Sequence, residues 1–254
     1  MRKDEDGASS LNERMLSTNS NFKIAKFRRV VWSYYKKQGR HDLPWRRTRD
    51  PYRILVSEVM LQQTQVERVL PYYKAWMSRF KTARVLAKAP LSEVLRAWQG
   101  LGYNRRGKLL HNAGKQIAKG FPKTLTQIEA LPGVGPYTAR AILAFAYNKD
   151  VVCLETNIRT AVTHHFFRKR KKVSDTEVQP VLEKALPKGR AREWNSALMD
   201  YGAYLKRSGV RINAKAKGYT KQSTFRGSDR EARGAILKEL TKRKATNARL
   251  TGLL

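Results

Sequence analysis

The sequence predicts an all-α fold, and two patterns along the chain support this prediction. Apolar residues recur at three- and four-residue spacing from Phe22 onward, whereas the alternating pattern of β-strands is nearly absent. Turns rich in Gly and Pro separate the helical segments, so we expect packed helices joined by short loops. The short apolar run Val151–Leu154 is predicted as an extended connector. The predicted helices are 22–38, 52–62, 64–80, 91–97, 104–118, 124–130, 136–147, 155–167, 175–185, 190–206 and 229–245.

Three parts of the chain differ in composition. Residues 1–21 lack apolar periodicity and are predicted as a flexible arm, whereas residues 22–206 carry the helical pattern of the folded core. The chain then becomes basic and rich in Gly, Ser and Thr. We therefore expect residues 207–254 to form a basic C-terminal extension.

The charge of the chain indicates a polyanionic partner. Its 254 residues include 53 Lys and Arg against 20 Asp and Glu, a formal net charge of +33. Nucleic acid and an anionic membrane surface both fit this excess. No apolar run approaches the ~20 residues that span a bilayer, which favours nucleic acid. From charge alone, a soluble basic protein such as a ribosome-associated one is the alternative.

The cysteine content limits the cofactors. Cys153 is the only cysteine, so an intramolecular disulfide and any zinc or iron–sulfur site built from several thiolates are excluded. We therefore expect no metal centre, and a reducing cytoplasm fits this cysteine usage.

The most specific local motif is LPGVGPYT at residues 131–138, between two predicted helices. Gly133 and Gly135 allow a tight turn and a close approach of the backbone to a ligand. Pro136 suits the first position of a helix, whose N–H groups and positive dipole end attract phosphate. We predict a helix–hairpin–helix element over 124–147 that binds a DNA strand, against the alternative of a plain turn between core helices. The predicted phosphate-binding residues are Gly133, Val134, Gly135, Tyr137 and Thr138.

Two carboxylates are candidates for catalysis. Glu58 lies in an otherwise apolar segment, where burial would raise its pKa and make it a general acid, unless it is an exposed position of an amphipathic helix. Glu155 either forms an ordinary helix N-cap or supplies a second carboxylate, with Asn157 able to bond a carboxylate and Arg159 able to reach phosphate. Two carboxylates would divide glycosyl transfer between protonation of the leaving group and stabilisation of the sugar cation.

Five blocks of sequence, in order from about Leu43 to about Leu205, resemble the helix–hairpin–helix DNA glycosylases. The resemblance is specifically to the A/G-specific adenine glycosylases, the MutY family. The blocks are LPWRRTRDPYRILVSEVMLQQTQVERVLPYY, WQGLGYNRRGKLLHNAG, FPKTLTQIEALPGVGPYTARAILAFAY, LETNIRT and WNSALMDYGAYL. The resemblance implies a two-part helical domain with the active site in the cleft between its halves.

The resemblance also implies roles for individual residues. Glu58 matches the catalytic Glu that protonates adenine, and Tyr137 stands where lyase-active relatives carry a nucleophilic Lys, which implies base excision by water alone. Asn157 matches an Asn that supports the catalytic carboxylate. The residues implied to line the base pocket or contact the lesion are Leu43, Trp45, Arg46, Gln63, Tyr103 and Ser196.

The sequence departs from the family pattern at several positions. Glu155 replaces the usual Asp, Asn104 follows Tyr103 in place of a second Tyr, and Ser196 replaces a Glu or Gln that faces adenine. The four-cysteine cluster and the C-terminal domain that recognises 8-oxoguanine are expected to be absent. The basic segment 206–245 would take over the DNA-contacting or packing role of the cluster.

The sequence therefore predicts a monofunctional DNA glycosylase that excises adenine opposite guanine or 8-oxoguanine in base excision repair. No cofactor is expected, unless a monovalent cation binds the hairpin carbonyls. The partner would be duplex DNA with a mismatch or oxidised base, and we expect a monomer in the cytoplasm, at the nucleoid. The alternatives are a thymine/uracil mismatch glycosylase of the same superfamily and a non-catalytic binder of distorted duplexes. The paired carboxylates argue against the binder, which gains nothing from negative charge near phosphates.

Overall fold

The computed structural model describes residues 5–210, 224 and 227–242, and gives the backbone alone for residues 5–20, 230, 241 and 242. Within these residues all regular elements are helices, which confirms the predicted all-α class. No helix in this part of the chain is both long and apolar enough to cross a membrane. The helices are α1 (Glu5–Gln38), α2 (Pro51–Leu61), α3 (Val66–Arg79), α4 (Ala83–Lys88), α5 (Leu91–Trp98), α6 (Arg105–Ile117), α7 (Leu125–Glu129), α8 (Pro136–Tyr147), α9 (Thr156–Phe166), α10 (Asp175–Ala185), α11 (Ala191–Arg207) and α12 (Asp229–Lys242).

Two elements differ from the sequence prediction. Helix α1 begins at Glu5, so residues 5–21 are helical where the sequence predicts a flexible arm. That prediction rested on missing apolar periodicity, whereas good helix formers such as Leu11 and Met15 favour a helix without an apolar stripe. Helix α4 was not predicted, because a helix of six residues with one buried side chain, Leu86, has no visible period.

The chain divides into two compact units. The first unit comprises the described parts of Met1–His41 and Asn148–Tyr219, and the second comprises those of Asp42–Tyr147 and Thr220–Leu254. The predicted core 22–206 therefore contributes to both units. Helix α12, from the predicted C-terminal extension, packs against α5 in the second unit.

In the first unit, α1 packs against α10 and α11 with one apolar face. Its residues Ile24, Phe27 and Val31 are buried at helical spacing. Arg28 on the same helix donates hydrogen bonds to the carbonyls of Lys184, Ala185 and Leu186, at the C-terminal end of α10. A cation at this end complements the helix dipole and satisfies carbonyls that have no partner within the helix.

Helices α9 and α11 form the closest packing in the first unit. Gly202 of α11 lies against the carbonyl of Asn157, and a Cβ at residue 202 would be 1.9 Å from that oxygen. Nearby, the buried Asp200 accepts bonds from the backbone N–H of Arg40 (2.9 Å) and from its guanidinium (2.7 Å). These contacts tie α11 both to the start of α9 and to the end of α1.

In the second unit, α2 is the central helix, since its residues from Tyr52 to Met60 are buried apart from Arg53. It packs against α3, α6, α8 and the 3-10 turn Pro44–Arg46. Asp50 caps its N-terminus by accepting a bond from the N–H of Tyr52 at 2.9 Å, and Pro51 occupies the first helical position.

The contact at Gly202 leads to a stability prediction. We expect Gly202→Ala to lower the free energy of unfolding by about 1–3 kcal/mol, because the added methyl forces α9 and α11 apart. Gly234→Ala is the matched control: its Cβ would meet nothing within 4 Å, so the gain in helix propensity should stabilise by about 0.5–1 kcal/mol. Urea denaturation followed by circular dichroism measures both. Wild-type stability of Gly202→Ala would contradict the close approach.

Candidate active site

Glu58 belongs to the second unit and is buried. It is on α2, and 7% of its surface is exposed. The structure thus excludes the alternative of an exposed position on an amphipathic helix. A carboxyl group in this position is sheltered from bulk water, as a general acid in a base-excision site requires.

The turn that precedes α2 carries three residues predicted for the base pocket. Leu43 and Trp45 are buried, and the ring of Trp45 packs edge-on against Tyr73 with 5.2 Å between centroids. Arg46 is half-buried. Leu43 and Trp45 are therefore packing residues of the interior beside α2, and contact of any of the three with a base stays a prediction.

The hairpin between α7 and α8 has the predicted geometry. Gly133 has a φ of 81°, a left-handed conformation that favours glycine, and Gln62 donates a bond to its carbonyl. The first hydrogen bond of α8 runs from the N–H of Ala139 to the carbonyl of Gly135 (3.0 Å). Helix α8 therefore begins directly after the hairpin, and the N-terminal end of a helix is a site that attracts phosphate.

Two hairpin residues differ from the prediction in detail. The side chains of Val134 and Thr138 are buried, so neither side chain is placed to meet a phosphate. The N–H of Val134 donates to the carbonyl of Leu131 at 3.0 Å and closes the turn. Val134 therefore closes the hairpin turn, and contact of Val134 or Thr138 with phosphate stays a prediction. Tyr137 is half-buried in the first turn of α8.

In the first unit, a buried amide positions the segment that leads to Glu155. The connector Val151–Leu154 has no regular structure, as predicted. The fully buried Asn195 of α11 accepts a bond from the N–H of Cys153 (3.0 Å) and donates one to the carbonyl of Val151 (3.0 Å). These bonds satisfy backbone groups that an adjacent β-strand would otherwise bond, and they fix the chain where it enters α9.

Glu155 is the N-cap of α9, where one carboxylate oxygen accepts a bond from the N–H of Ile158 at 2.8 Å. The N-cap alternative of the sequence analysis is thus confirmed, although the same geometry leaves its catalytic role open to test. Burial raises the pKa of the Glu155 carboxyl above its ordinary value. The N–H groups of Asn157 and Ile158 and the positive charges of Lys206 and Arg159 oppose this rise in pKa.

Lys206 is a neighbour of Asn157 and Glu155 that the sequence analysis did not single out. Its ammonium group donates a bond to the side-chain oxygen of Asn157 at 3.0 Å, and its charge acts on Glu155. The backbone N–H of Asn157 therefore interacts with the carboxylate of Glu155, and its side-chain oxygen accepts the bond from Lys206. Only the packing of α11 against α9 brings Lys206 here, so no local sequence signal was available.

Arg159 has a partner that the sequence did not predict. The guanidinium of Arg159 makes two bonds of 2.8 Å to Asp175, and its contact with phosphate stays a prediction. The pairing arises because Asp175 begins α10, which packs against α9. Ser196 is buried in α11, and its contact with adenine stays a prediction.

Gln63 and Tyr103, the predicted lesion contacts, share an unusual backbone conformation. Their φ angles are 56° and 48°, in the left-handed region that residues other than glycine rarely adopt. Gln63 is exposed and Tyr103 is half-buried. Residues in such conformations cluster at ligand-binding sites, where the surrounding structure holds them.

The described residues contain no group of three or more His, Cys, Asp or Glu side chains placed to hold a metal ion. Cys153, the one cysteine of the chain, is buried.

Comparison with known proteins agrees with this arrangement. The family model of HhH-GPD superfamily base excision DNA repair proteins matches residues 56–188, which include Glu58, the hairpin and Glu155. The adenine DNA glycosylase of Mycolicibacterium smegmatis is 37% identical over 220 residues, covering 78% of this chain and 75% of that protein. The adenine DNA glycosylase of Buchnera aphidicola is 34% identical, covering 70% of this chain and 52% of that protein.

A solved structure extends the comparison to the fold. A thermostable thymine-DNA glycosylase superposes with a TM-score of 0.65 at 27% identity, over 72% of this chain and 87% of that one. The chain belongs to the helix–hairpin–helix superfamily of base excision DNA repair proteins and, within it, to the adenine DNA glycosylase family. The prediction of a DNA glycosylase that cleaves N-glycosidic bonds is thereby confirmed.

The electrostatics of Glu155 lead to a direct prediction. We expect Lys206→Met to raise the pKa of the Glu155 carboxyl further, because the ionised form loses a favourable positive charge. Lys206→Arg, which keeps the charge, should leave this pKa close to that of the wild type. Carbon-13 NMR titration of the glutamate carboxyls, assigned with Glu155→Gln, measures the shift. An unchanged pKa in Lys206→Met would show that the ammonium group does not act on Glu155.

Proposed function

We propose that this chain is a monofunctional glycosylase that excises adenine mispaired with guanine or 8-oxoguanine from duplex DNA. The observation that carries the proposal is the buried carboxyl of Glu58, within a region matched by relatives named adenine DNA glycosylase. Since the chain spans about half the length of the Buchnera relative, the activity of the whole relative is part of the proposal.

Glu58 serves as the general acid. Its carboxyl proton passes to a ring nitrogen of the extruded adenine, and the bond between the base and C1′ of the sugar breaks with its electron pair on the base. The sugar is left as an oxocarbenium-like cation. Water adds to C1′, and its proton passes to the carboxylate of Glu58, which restores the acid.

Glu155 stabilises the sugar cation electrostatically in its ionised form. The N-cap bond to Ile158 fixes one of its oxygens, which limits the extra reach that Glu has over the Asp of the family. Because burial raises the pKa of Glu155, the rate of base release should fall with decreasing pH at a higher pH than it would for an exposed carboxylate, as this group becomes protonated.

DNA binding rests on the backbone of the hairpin and on positive charge. The N-terminus of α8 holds a phosphate of the DNA backbone. The net charge of +33, from 53 basic and 20 acidic residues, supplies affinity that does not depend on the DNA sequence. The cost of unstacking favours mispaired bases, which are extruded more easily. We place the protein at the nucleoid in the cytoplasm, as a monomer that needs no cofactor for excision.

A second candidate is a thymine/uracil mismatch glycosylase. The superposition on a thymine-DNA glycosylase favours it, because the two chains share a fold at 27% identity. Adenine is the better supported base, since the Mycolicibacterium adenine glycosylase is more similar in sequence.

The test is single-turnover base release from four duplexes, which carry 8-oxoguanine:A, G:A, G:T and G:U pairs. We expect adenine release by the wild type, reduced on the order of 10²–10⁴-fold in Glu58→Gln through loss of the general acid. In Glu155→Gln we expect a loss on the order of 10²–10³-fold, because the cation is no longer stabilised. Glu183→Gln removes an exposed carboxylate of α10 and is the matched control.

The outcomes separate the alternatives. Release of thymine or uracil in place of adenine would overturn the substrate and keep the two-carboxylate mechanism. Tight duplex binding without release of any base would overturn the enzymatic proposal. Full activity of Glu155→Gln would limit Glu155 to its role as a helix cap.

A further prediction concerns the covalent step. Tyr137 stands where bifunctional relatives carry a nucleophilic Lys, so borohydride should trap no protein–DNA adduct during excision. Tyr137→Lys introduces an amine that can form a Schiff base with C1′, and we expect it to make trapping detectable on a denaturing gel. Trapping with the wild type would contradict monofunctional chemistry.

A further inference from the structure

Arg106 is a buried cation that joins two surface segments of the second unit. Only 9% of its surface is exposed, and its guanidinium lies between the α2 turn (residues 62–65) and the GLG loop (residues 99–104). One terminal nitrogen donates to the carbonyls of Val59 (2.9 Å), Met60 (3.0 Å) and Gln62, at the C-terminal end of α2.

The other terminal nitrogen of Arg106 bonds both segments at once. It donates to the hydroxyl of Thr64 (3.1 Å) in the α2 turn and to the carbonyls of Leu101 (3.3 Å) and Gly102 (3.1 Å) in the GLG loop. A guanidinium suits this role because its donors project from one rigid plane in fixed directions.

The charge of Arg106 is stabilised where it lies. Burial lowers its pKa to about 10, so the group stays protonated at neutral pH. The carbonyls at the end of α2 present the negative end of the helix dipole, and the rings of Trp98 and Tyr103 lie 5.5 and 5.4 Å from the guanidinium carbon.

Each of the two segments contains a residue in the left-handed conformation, Gln63 in the α2 turn and Tyr103 in the GLG loop. The GLG loop is anchored further by Trp98, whose indole N–H donates to the carbonyl of Gly102 at 3.1 Å, and by Arg68, which donates to the carbonyl of Gly100. Conformations of this kind persist only where surrounding contacts hold them, and Arg106 supplies contacts to both segments.

We propose that Arg106 is a positioning residue that fixes the α2 turn and the GLG loop as one rigid element, so that Gln63 and Tyr103 enter a damaged duplex together. The same guanidinium holds the end of the helix that carries Glu58, which couples insertion at the lesion to the position of the general acid. The inference rests on the proposed function, because the roles of Gln63 and Tyr103 toward DNA belong to it.

The test compares Arg106→Lys and Arg106→Met with the wild type in single-turnover base release at saturating enzyme. We expect a rate constant lower on the order of 10²-fold, the effect of a small displacement of catalytic groups, and unchanged affinity for undamaged duplex. Lys keeps the charge but not the planar fork, so it should not rescue the rate. Arg84→Met removes an exposed Arg of α4 and should release the base like the wild type.

The rate constant separates positioning from simple loss of folded protein. Unfolded enzyme lowers the reaction amplitude, whereas displaced loops lower the rate constant of the molecules that react. A wild-type rate constant in Arg106→Lys, with or without reduced amplitude, would overturn the proposal. If neither Arg106 variant folds, Thr64→Val removes one anchor of the guanidinium and should lower the rate constant in the same direction, and a normal rate there would overturn the proposal.

A double-mutant cycle tests the coupling itself. If Arg106 acts through Gln63, the losses in Arg106→Lys and Gln63→Ala should be less than multiplicative in the double variant. Multiplicative losses would overturn the coupling. The cycle is run on whichever mispair the wild type processes, so that release of thymine in place of adenine overturns the proposed substrate and leaves the test of Arg106 intact.

Discussion

The second unit depends on hydrogen bonds to the backbone N–H and C=O groups at the two ends of the buried helix α2. Helix α2 is buried along most of its length, so the polar groups at its ends need partners within the protein. Asp50 supplies them at the N-terminus, and Arg106 supplies them at the C-terminus. Because α2 is held at both ends, the helix that carries Glu58 is fixed in position.

In the first unit, residues that stabilise the fold also surround the proposed catalytic carboxylate. Glu155 caps α9 and is also the carboxylate that we propose stabilises the sugar cation. Asn195 orders the connector that leads to it, and Gly202 lets α11 approach close enough for Lys206 to act on it. The cap bond from Ile158 fixes one carboxylate oxygen of Glu155, which stands where the family resemblance implies an Asp.

The sequence predicted the helices with clear apolar periods, the connector Val151–Leu154 and the hairpin, because each is determined by local pattern. It missed α4, which is too short to show a period, and the roles of Arg106 and Lys206, which depend on packing between distant segments. The sequence did contain one indication that Arg106 is buried, because this residue lies on the same face of α6 as the buried Leu110 and Ile117. The ion pair of Arg159 with Asp175 was also missed, because the sequence does not show that the two residues lie side by side.

The discontinuity of the first unit has a consequence for the order in which the chain acquires structure during synthesis. Helix α1 is synthesised before its partners, because Arg28 bonds residues 156 to 158 positions later in the chain and Arg40 bonds Asp200 160 positions later. Until α10 and α11 have been synthesised, the apolar side chains of Ile24, Phe27 and Val31 lack the helices that bury them. The continuous stretch from Asp42 to Tyr147 can fold in the meantime, so the nascent chain exposes an apolar helix face, a target for chaperones, until α10 and α11 have been synthesised.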